Sequence, residues 1–381
     1  VNSRERVLAA LDHQEPDRIP IDLGSTVISS IHKKAYVDLK AYLGMPLDEI
    51  HMCDIVQQVP CVDEALLERF QVDLRMIHLP PATSPDAIFF EEGEYYAFID
   101  RWGSKLYMPM RGGLYFDWVD FPIKEPTMEA LDDFQWPVVD PPEINLKLRE
   151  QARLLYENTD YALAGSAIFG GGIFEQAARV MGMEEFYTSL IDEPAFADRL
   201  LGTITDIYIE SCNNYLDQVG EYLHVFAYGD DINSQTGWLI SPKLYEKMIK
   251  PKWRRLADAI RKKTDAKLFF HGCGAVYDLI PHLIDLGFDI VNPVQVSAEG
   301  MDTKRLKAAY GDDIVFWGGG VDTQWVLPFG TPDQVSDEVK RRIDDLAPGG
   351  GFVFAAVHNI QAFVPPENIV AAFDTALAYG Q

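Results

Sequence analysis

The chain has 381 residues, with 59 Asp and Glu against 33 Lys and Arg, for a net charge of −26. That acidic balance excludes a nucleic-acid-binding surface, which needs a basic footprint, and no apolar run is long enough to span a bilayer. The opening stretch 1–18 is charged and helix-like, without a signal-peptide core, and the four cysteines (Cys53, Cys61, Cys212 and Cys273) lack disulfide-framework spacing. A reducing, cytoplasmic setting is therefore expected.

In chain order, apolar segments predict strands at 19–24 and 74–79. Residues 86–123 break the pattern: two aromatic runs separated by Gly103 read as a β-hairpin or meander, with no room for intervening helices. This stretch is expected to be an insertion covering one end of the fold. A Pro-rich segment, 125–142, leads into a helix near 146–157. Further strands are predicted at 161–167, 222–230, 266–273, 290–295, 314–320 and 352–359, separated mostly by helices at 242–262, 276–286, 303–310, 332–346 and 365–379. Pro242, Pro332 and Pro365 suit the first turn of a helix, with Ser241 and Thr331 as N-caps. The alternation implies an α/β protein whose parallel strands are joined by right-handed crossovers. Eight strands predict a TIM (β/α)8 barrel, one domain over 1–381 with the 86–123 insertion within it.

In such a barrel, functional groups collect where strands end and the following loops begin. Leu268-Phe269-Phe270-His271-Gly272-Cys273-Gly274 is an apolar strand ending in a histidine and a cysteine two residues apart, which alternation sends to one side. A second strand ends at His358. Imidazole, thiolate and imidazole from separate strand ends suit zinc with one position left open for chemistry. The fourth position falls to water, substrate or a nearby carboxylate such as Glu175. Asp230 and Asp231 are adjacent carboxylates at a strand end, a pairing that is costly unless it serves function, although one of them capping the next turn is the plain alternative. Asn292 and Gln295 either bind substrate or satisfy loop backbone, and Tyr228, Phe169 and Trp317 stand where they could flank a flat or apolar substrate. Gly170-Gly171-Gly172 permits close backbone approach to a ligand, and Gly318–Gly320 gives room at the mouth, with phosphate binding a further reading.

Taken together, these stretches resemble the uroporphyrinogen decarboxylase superfamily over almost the whole chain. The resemblance runs through Arg4-Glu5-Arg6-Val7-Leu8-Ala9-Ala10-Leu11, Pro16-Asp17-Arg18-Ile19-Pro20, Gly229-Asp230-Asp231, Ile240-Ser241-Pro242, His271 to Gly274, His358-Asn359-Ile360 and Val364-Pro365-Pro366-Glu367-Asn368-Ile369. These motifs mark the superfamily and not one activity within it. The decarboxylases resemble one another in an arginine-containing segment after the first strand that anchors the tetrapyrrole's acid groups; here 21–28 contains no arginine. The corrinoid-dependent methyltransferases of the superfamily carry a His-x-Cys zinc site completed by a downstream Cys, whose position falls on His358. The resemblance, closest in character to that branch, implies methyl transfer between a small methylated donor, of methoxyl type, and a separate corrinoid protein, with zinc as Lewis acid and Asp230 or Asp231 as proton relay. Two alternatives stand beside it: a metal-free decarboxylase or lyase in which His358 and the aspartates are the acid and base, and a non-catalytic corrinoid- or small-molecule-binding barrel.

Overall fold

The structure is a computed structural model and describes residues 1–77, 89–140, 146–168 and 170–381. Seven parallel strands lie side by side in chain order: Leu74–Ile77, Ala162–Gly165, Val225–Gly229, Lys267–His271, Ile290–Asn292, Val315–Trp317 and Phe352–Val353. The segment expected as the first strand closes the ring with a single parallel bridge, Ile21 to Phe354. On its other side, Asp73 N–H donates to the Ile21 carbonyl at 2.9 Å. The eight-stranded α/β barrel is thus present, although its regular strands are shorter than the apolar runs that predict them. The surplus residues leave the sheet and form the mouth; Leu79, at the end of the second predicted run, lies outside the described residues.

Alternation sorts each strand. Ala162, Ala164, Val225, Ala227, Phe269, Ile290, Val315, Trp317 and Val353 pack together inside the ring, joined by Val7 and Leu11 of the helix Ser3–Leu11, which plugs the end where the strands begin. The intervening residues, among them Phe226, Tyr228, Leu268 and Phe270, face the surrounding helices in a second, larger core. One predicted helix is interrupted: Pro242–Leu244 passes through a π-helical turn, Tyr245–Ile249, before Lys250–Arg261. Pro251 has no N–H to give to the preceding turn, and the wider turn accommodates that loss. The helix expected at 276–286 begins at Ile280, where Pro281 fits the first turn.

The insertion is a four-stranded antiparallel meander, Phe89–Glu92, Tyr95–Ile99, Lys105–Pro109 and Asp117–Asp120; residues 86–88 of the predicted stretch lie outside the described residues. Its last turn is fastened to the barrel mouth. Phe116 N–H donates to the Val56 carbonyl at 3.0 Å, His32 Nε2 donates to the Leu114 carbonyl at 3.0 Å, and the Tyr115 hydroxyl bonds Gln361. The short hairpin that receives Phe116, Met52–Asp54 against Val59–Pro60, holds a correction to the cysteine reading. It brings the Cα atoms of Cys53 and Cys61 to 4.9 Å, and the two form a disulfide. Cysteine spacing therefore no longer argues for a reducing compartment. Cys212 and Cys273 are free. Among the described residues, no helix is long and apolar enough to cross a membrane.

Candidate metal centre

The strand Lys267–His271 sends Phe269 into the barrel, so His271, two residues on, points inward at the mouth. Cys273 follows on the same side, and its Sγ stands 3.5 Å from His271 Nε2. His358, beyond the last strand, brings its ring to 5.2 Å from that of His271 at an angle of 64°. One ligating atom from each of the three residues lies within 4.8 Å of the other two. A tetrahedral ion with bonds of about 2.0–2.3 Å needs ligands roughly 3.3–3.8 Å apart. The His271–Cys273 pair already stands at that spacing, and His358 needs a side-chain adjustment of about 1.5 Å at most. The donor set, two imidazoles and a thiol, is one that zinc accepts.

The surroundings suit a cation. Burial pushes the Cys273 thiol well above its usual range, and the carboxylates of Asp231 and Glu175 push it further. Burial and then Glu175 also raise the Asp231 carboxyl, which His271 partly offsets. His358 is pushed down to about 3, first by burial and then by His271. The cluster thus holds a thiol and, at His358, an imidazole disfavoured from charging, beside carboxylates, and a divalent ion would supply positive charge there. Glu175 is not part of the cluster: its carboxylate accepts Gly172 N–H at 3.2 Å and pairs with Arg179 at 3.0 Å.

The other residues singled out from the sequence divide into two groups. Asp231 is at the centre, accepting Cys273 N–H at 2.6 Å. Gln295 supports the same turn by accepting Gly274 N–H at 2.6 Å, which favours the backbone-satisfying role. Asn292 is 1% exposed, and its two polar atoms bond protein partners, His271 Nδ1 at 2.6 Å and the Trp317 carbonyl at 3.0 Å. Trp317 is fully buried in the top layer of the barrel, its Nε1 donating to Asp22 at 2.8 Å, and it offers no surface to a ligand. Phe169 lies outside the described residues.

Asp230 and Tyr228 sit on the other side of the barrel wall, and this differs from the relay and substrate-flanking roles expected of them. Asp230 is fully buried and accepts four donors: Phe174 N–H at 2.9 Å, Glu175 N–H at 3.0 Å, the Tyr228 hydroxyl at 2.9 Å and Trp253 Nε1 at 2.9 Å. Two of these are free N–H groups in the first turn of the helix Ile173–Met181, so the carboxylate caps that helix. Burial and then Glu175 push its carboxyl up to about 7, against the pull of those hydrogen bonds. The close approach requires Gly172, where a Cβ would stand 2.3 Å from Asp230 Cβ. The Tyr228 ring packs among Trp253, Phe270 and Phe288 in the helix layer.

Two further residues, with no role expected from the sequence, hold the mouth together. Asp22 is fully buried and caps the turn after the first strand segment by accepting Ser25 N–H at 3.0 Å, besides holding Trp317. Burial raises its carboxyl. Its signal was a lone carboxylate inside an apolar run. Asn359 ties the first and last loops together, accepting Ser30 N–H at 2.7 Å and donating to the Val27 carbonyl at 2.9 Å, which fixes the backbone beside His358.

Known proteins match this chain along its length. The model of the family described as Uroporphyrinogen decarboxylase (URO-D) matches residues 122–379, more than half of the chain. A protein named uroporphyrinogen decarboxylase from Xanthomonas euvesicatoria pv. vesicatoria is 25% identical, the match covering 96% of this chain and 95% of that protein. One of the same name from Pseudoalteromonas atlantica is 22% identical over 98% and 96%. Among solved structures, a methyltransferase from Methanosarcina mazei superposes with a TM-score of 0.65 at 19% identity, covering 99% of both chains, a likeness of fold. With the match extending over the strands that lead to His271, Cys273 and His358 and over the last helix, the chain belongs to the uroporphyrinogen decarboxylase family.

Proposed function

We propose that this enzyme moves a methyl group from a small methoxyl-type donor to the Co(I) of a separate corrinoid protein, with zinc held by His271, Cys273 and His358. The observation that carries the reading is the convergence of these three donors at the mouth, with His271 Nε2 and Cys273 Sγ at 3.5 Å. Bound there, zinc would act as a Lewis acid on the donor's ether oxygen, making it a better leaving group. The set His, Cys, His is less negative than His, Cys, Cys, which favours activation of an oxygen leaving group. The carbon–oxygen bond breaks with its electron pair left on oxygen, the cobalt supplies the pair for the new carbon–cobalt bond, and the oxygen takes up a proton. Asp231, at the centre and with a raised carboxyl, is placed to deliver that proton; Asp230, saturated by four donors, is the scaffold for the adjoining helix. Co(I) is strongly reducing, and a cytoplasmic setting suits it.

A second reading is decarboxylation without metal, and its support is the name carried by the curated relatives that span nearly the whole chain. Two features speak against a polycarboxylate substrate: Asp231 and Glu175 stand close enough to act on the same thiol, and the 21–28 segment supplies no arginine. The deciding experiment mixes zinc-loaded enzyme with a reduced corrinoid protein and a panel of methoxylated donors and follows the decay of Co(I) absorbance. In parallel, release of carbon dioxide from uroporphyrinogen is measured. Carbon dioxide release with no methylation by any donor would put the second reading in place of the first.

A further inference from the structure

We infer that Asn292 is a positioning residue for the centre: its amide fixes the His271 ring so that Nε2, and not Nδ1, faces Cys273 and His358. The purpose of this arrangement rests on the metal reading above; its geometry rests on hydrogen bonds alone.

Each assignment in the chain of bonds forces the next. Asn292 ends the strand beside the ligand strand, with its Cα paired in register to His271. Its Nδ2 is 3.0 Å from the Trp317 carbonyl, a group that only accepts, so the amide nitrogen must lie on that side and Oδ1 on the side of His271. Oδ1 also only accepts, and it lies 2.6 Å from His271 Nδ1, so Nδ1 carries the proton. In the neutral ring the lone pair then falls on Nε2, which stands 3.5 Å from Cys273 Sγ. Trp317, which anchors the far end, is held by Asp22. Gly318 leaves the amide its space: a Cβ there would come within 3.1 Å of Asn292 Nδ2.

A metal-binding histidine commonly gives its second N–H to a carboxylate or carbonyl, and the partner sets both ring orientation and basicity. A neutral amide sets the orientation without adding charge. It therefore keeps the imidazole a weaker donor than a carboxylate would, and the ion more electrophilic. This agrees with a site whose third ligand is an imidazole.

Two variants separate the two hydrogen bonds. Asn292→Leu loses both; Asn292→Asp keeps the acceptor on His271 and gives up the donor to Trp317. Zinc affinity is measured by competition with a chromogenic chelator, with circular dichroism to verify folding. Nitrogen shifts of 15N-histidine-labelled, metal-free protein report which ring nitrogen of His271 is protonated. We expect Asn292→Leu to weaken zinc binding by about 10–100-fold and to mix the two tautomers, with Asn292→Asp retaining wild-type affinity or better and the Nδ1–H form. Equal loss of zinc in both folded variants would overturn the inference, because Asn292 would then act only by tying strands together. Wild-type affinity in Asn292→Leu would overturn it as well. If the wild-type protein binds no zinc, the metal reading fails by itself. The nitrogen shifts then decide: Nδ1–H in wild type and Asn292→Asp but not in Asn292→Leu upholds the inference, and mixed tautomers in wild type overturn it.

Discussion

The two ends of the barrel handle charge in opposite ways. At the end where the strands begin, Asp73 is fully buried and accepts Arg6 at 2.8 Å, Arg18 at 2.7 and 3.0 Å, the Ser3 hydroxyl at 2.7 Å and Ile21 N–H at 2.8 Å. Arg6 in turn forks onto Asp17. There charge meets opposite charge and the carboxylate is richly supplied with donors. At the mouth, Asp231 and Glu175 stand near a thiol and two imidazoles, and each carboxylate makes the thiol harder to ionise. The closed end is arranged for the chain's own stability, whereas the mouth gathers groups that gain from an added cation.

The sharpest way to break this contrast is to remove a ligand. Cys273→Ala or His271→Ala should abolish methyl transfer and stoichiometric zinc, while circular dichroism and gel filtration remain those of the wild type. Loss of folding in both would place these residues with the closed end. At that end, Asp73→Asn removes the fully buried counter-charge shared by Arg6, which keeps Asp17, and the part-buried Arg18. It should cost about 3–5 kcal/mol in chemical denaturation, with turnover per folded molecule unchanged. Asp231→Asn keeps an acceptor for Cys273 N–H but removes the acid. Turnover should fall on the order of 10²–10⁴-fold with little change in stability, read from steady-state rates beside a denaturation curve.

The smallest effect compares one histidine from each end. His358 is pushed down to about 3 and His224, at the closed end, to about 4, both mainly by burial. Between those values and the ordinary value of 6.5, the unfolded chain binds protons that the folded one refuses. Stability from each is therefore present above pH 6.5 and is lost as pH falls toward the folded pKa. His358→Gln and His224→Gln should each flatten part of the acid-side fall in thermal midpoint. Saturating zinc should steepen the His358 share and leave the His224 share as it was.

Much of the site was legible because a strand has period two. The phase set by Phe269 carries His271 and Cys273 to one side, and a polar residue ending an apolar strand marks the mouth. The same rule separates the two aspartates once the phase is known: Ala227 faces inward, so Asp231 follows it, and Tyr228 faces the helices, so Asp230 does too. The sequence alone left that phase open, because Val225-Phe226-Ala227-Tyr228 is apolar throughout and a parallel barrel strand is buried on both faces. The disulfide was hidden for another reason. Its hairpin is built from strands of three and two residues, one ending in proline, too short to give a pattern. The positions of Asn292 and Trp317 depended on neighbouring strands meeting in register, which is a tertiary fact.

Stiffness is unevenly distributed around the ring. The strand carrying His271 pairs through five residues with one neighbour and three with the other, whereas the first segment meets the last strand at single bridges, Ile21–Phe354 and, past the loop, Ile31–Ile360. Breathing of the barrel will concentrate along that stitched line. The loop Asp22 to Ser30 runs between the two bridges, and Asn359 holds it at Val27 and Ser30 beside His358. His271 ends the heavily paired strand, Cys273 follows it and His358 follows the weakly stitched one, so opening along that line draws His358 away from the other two.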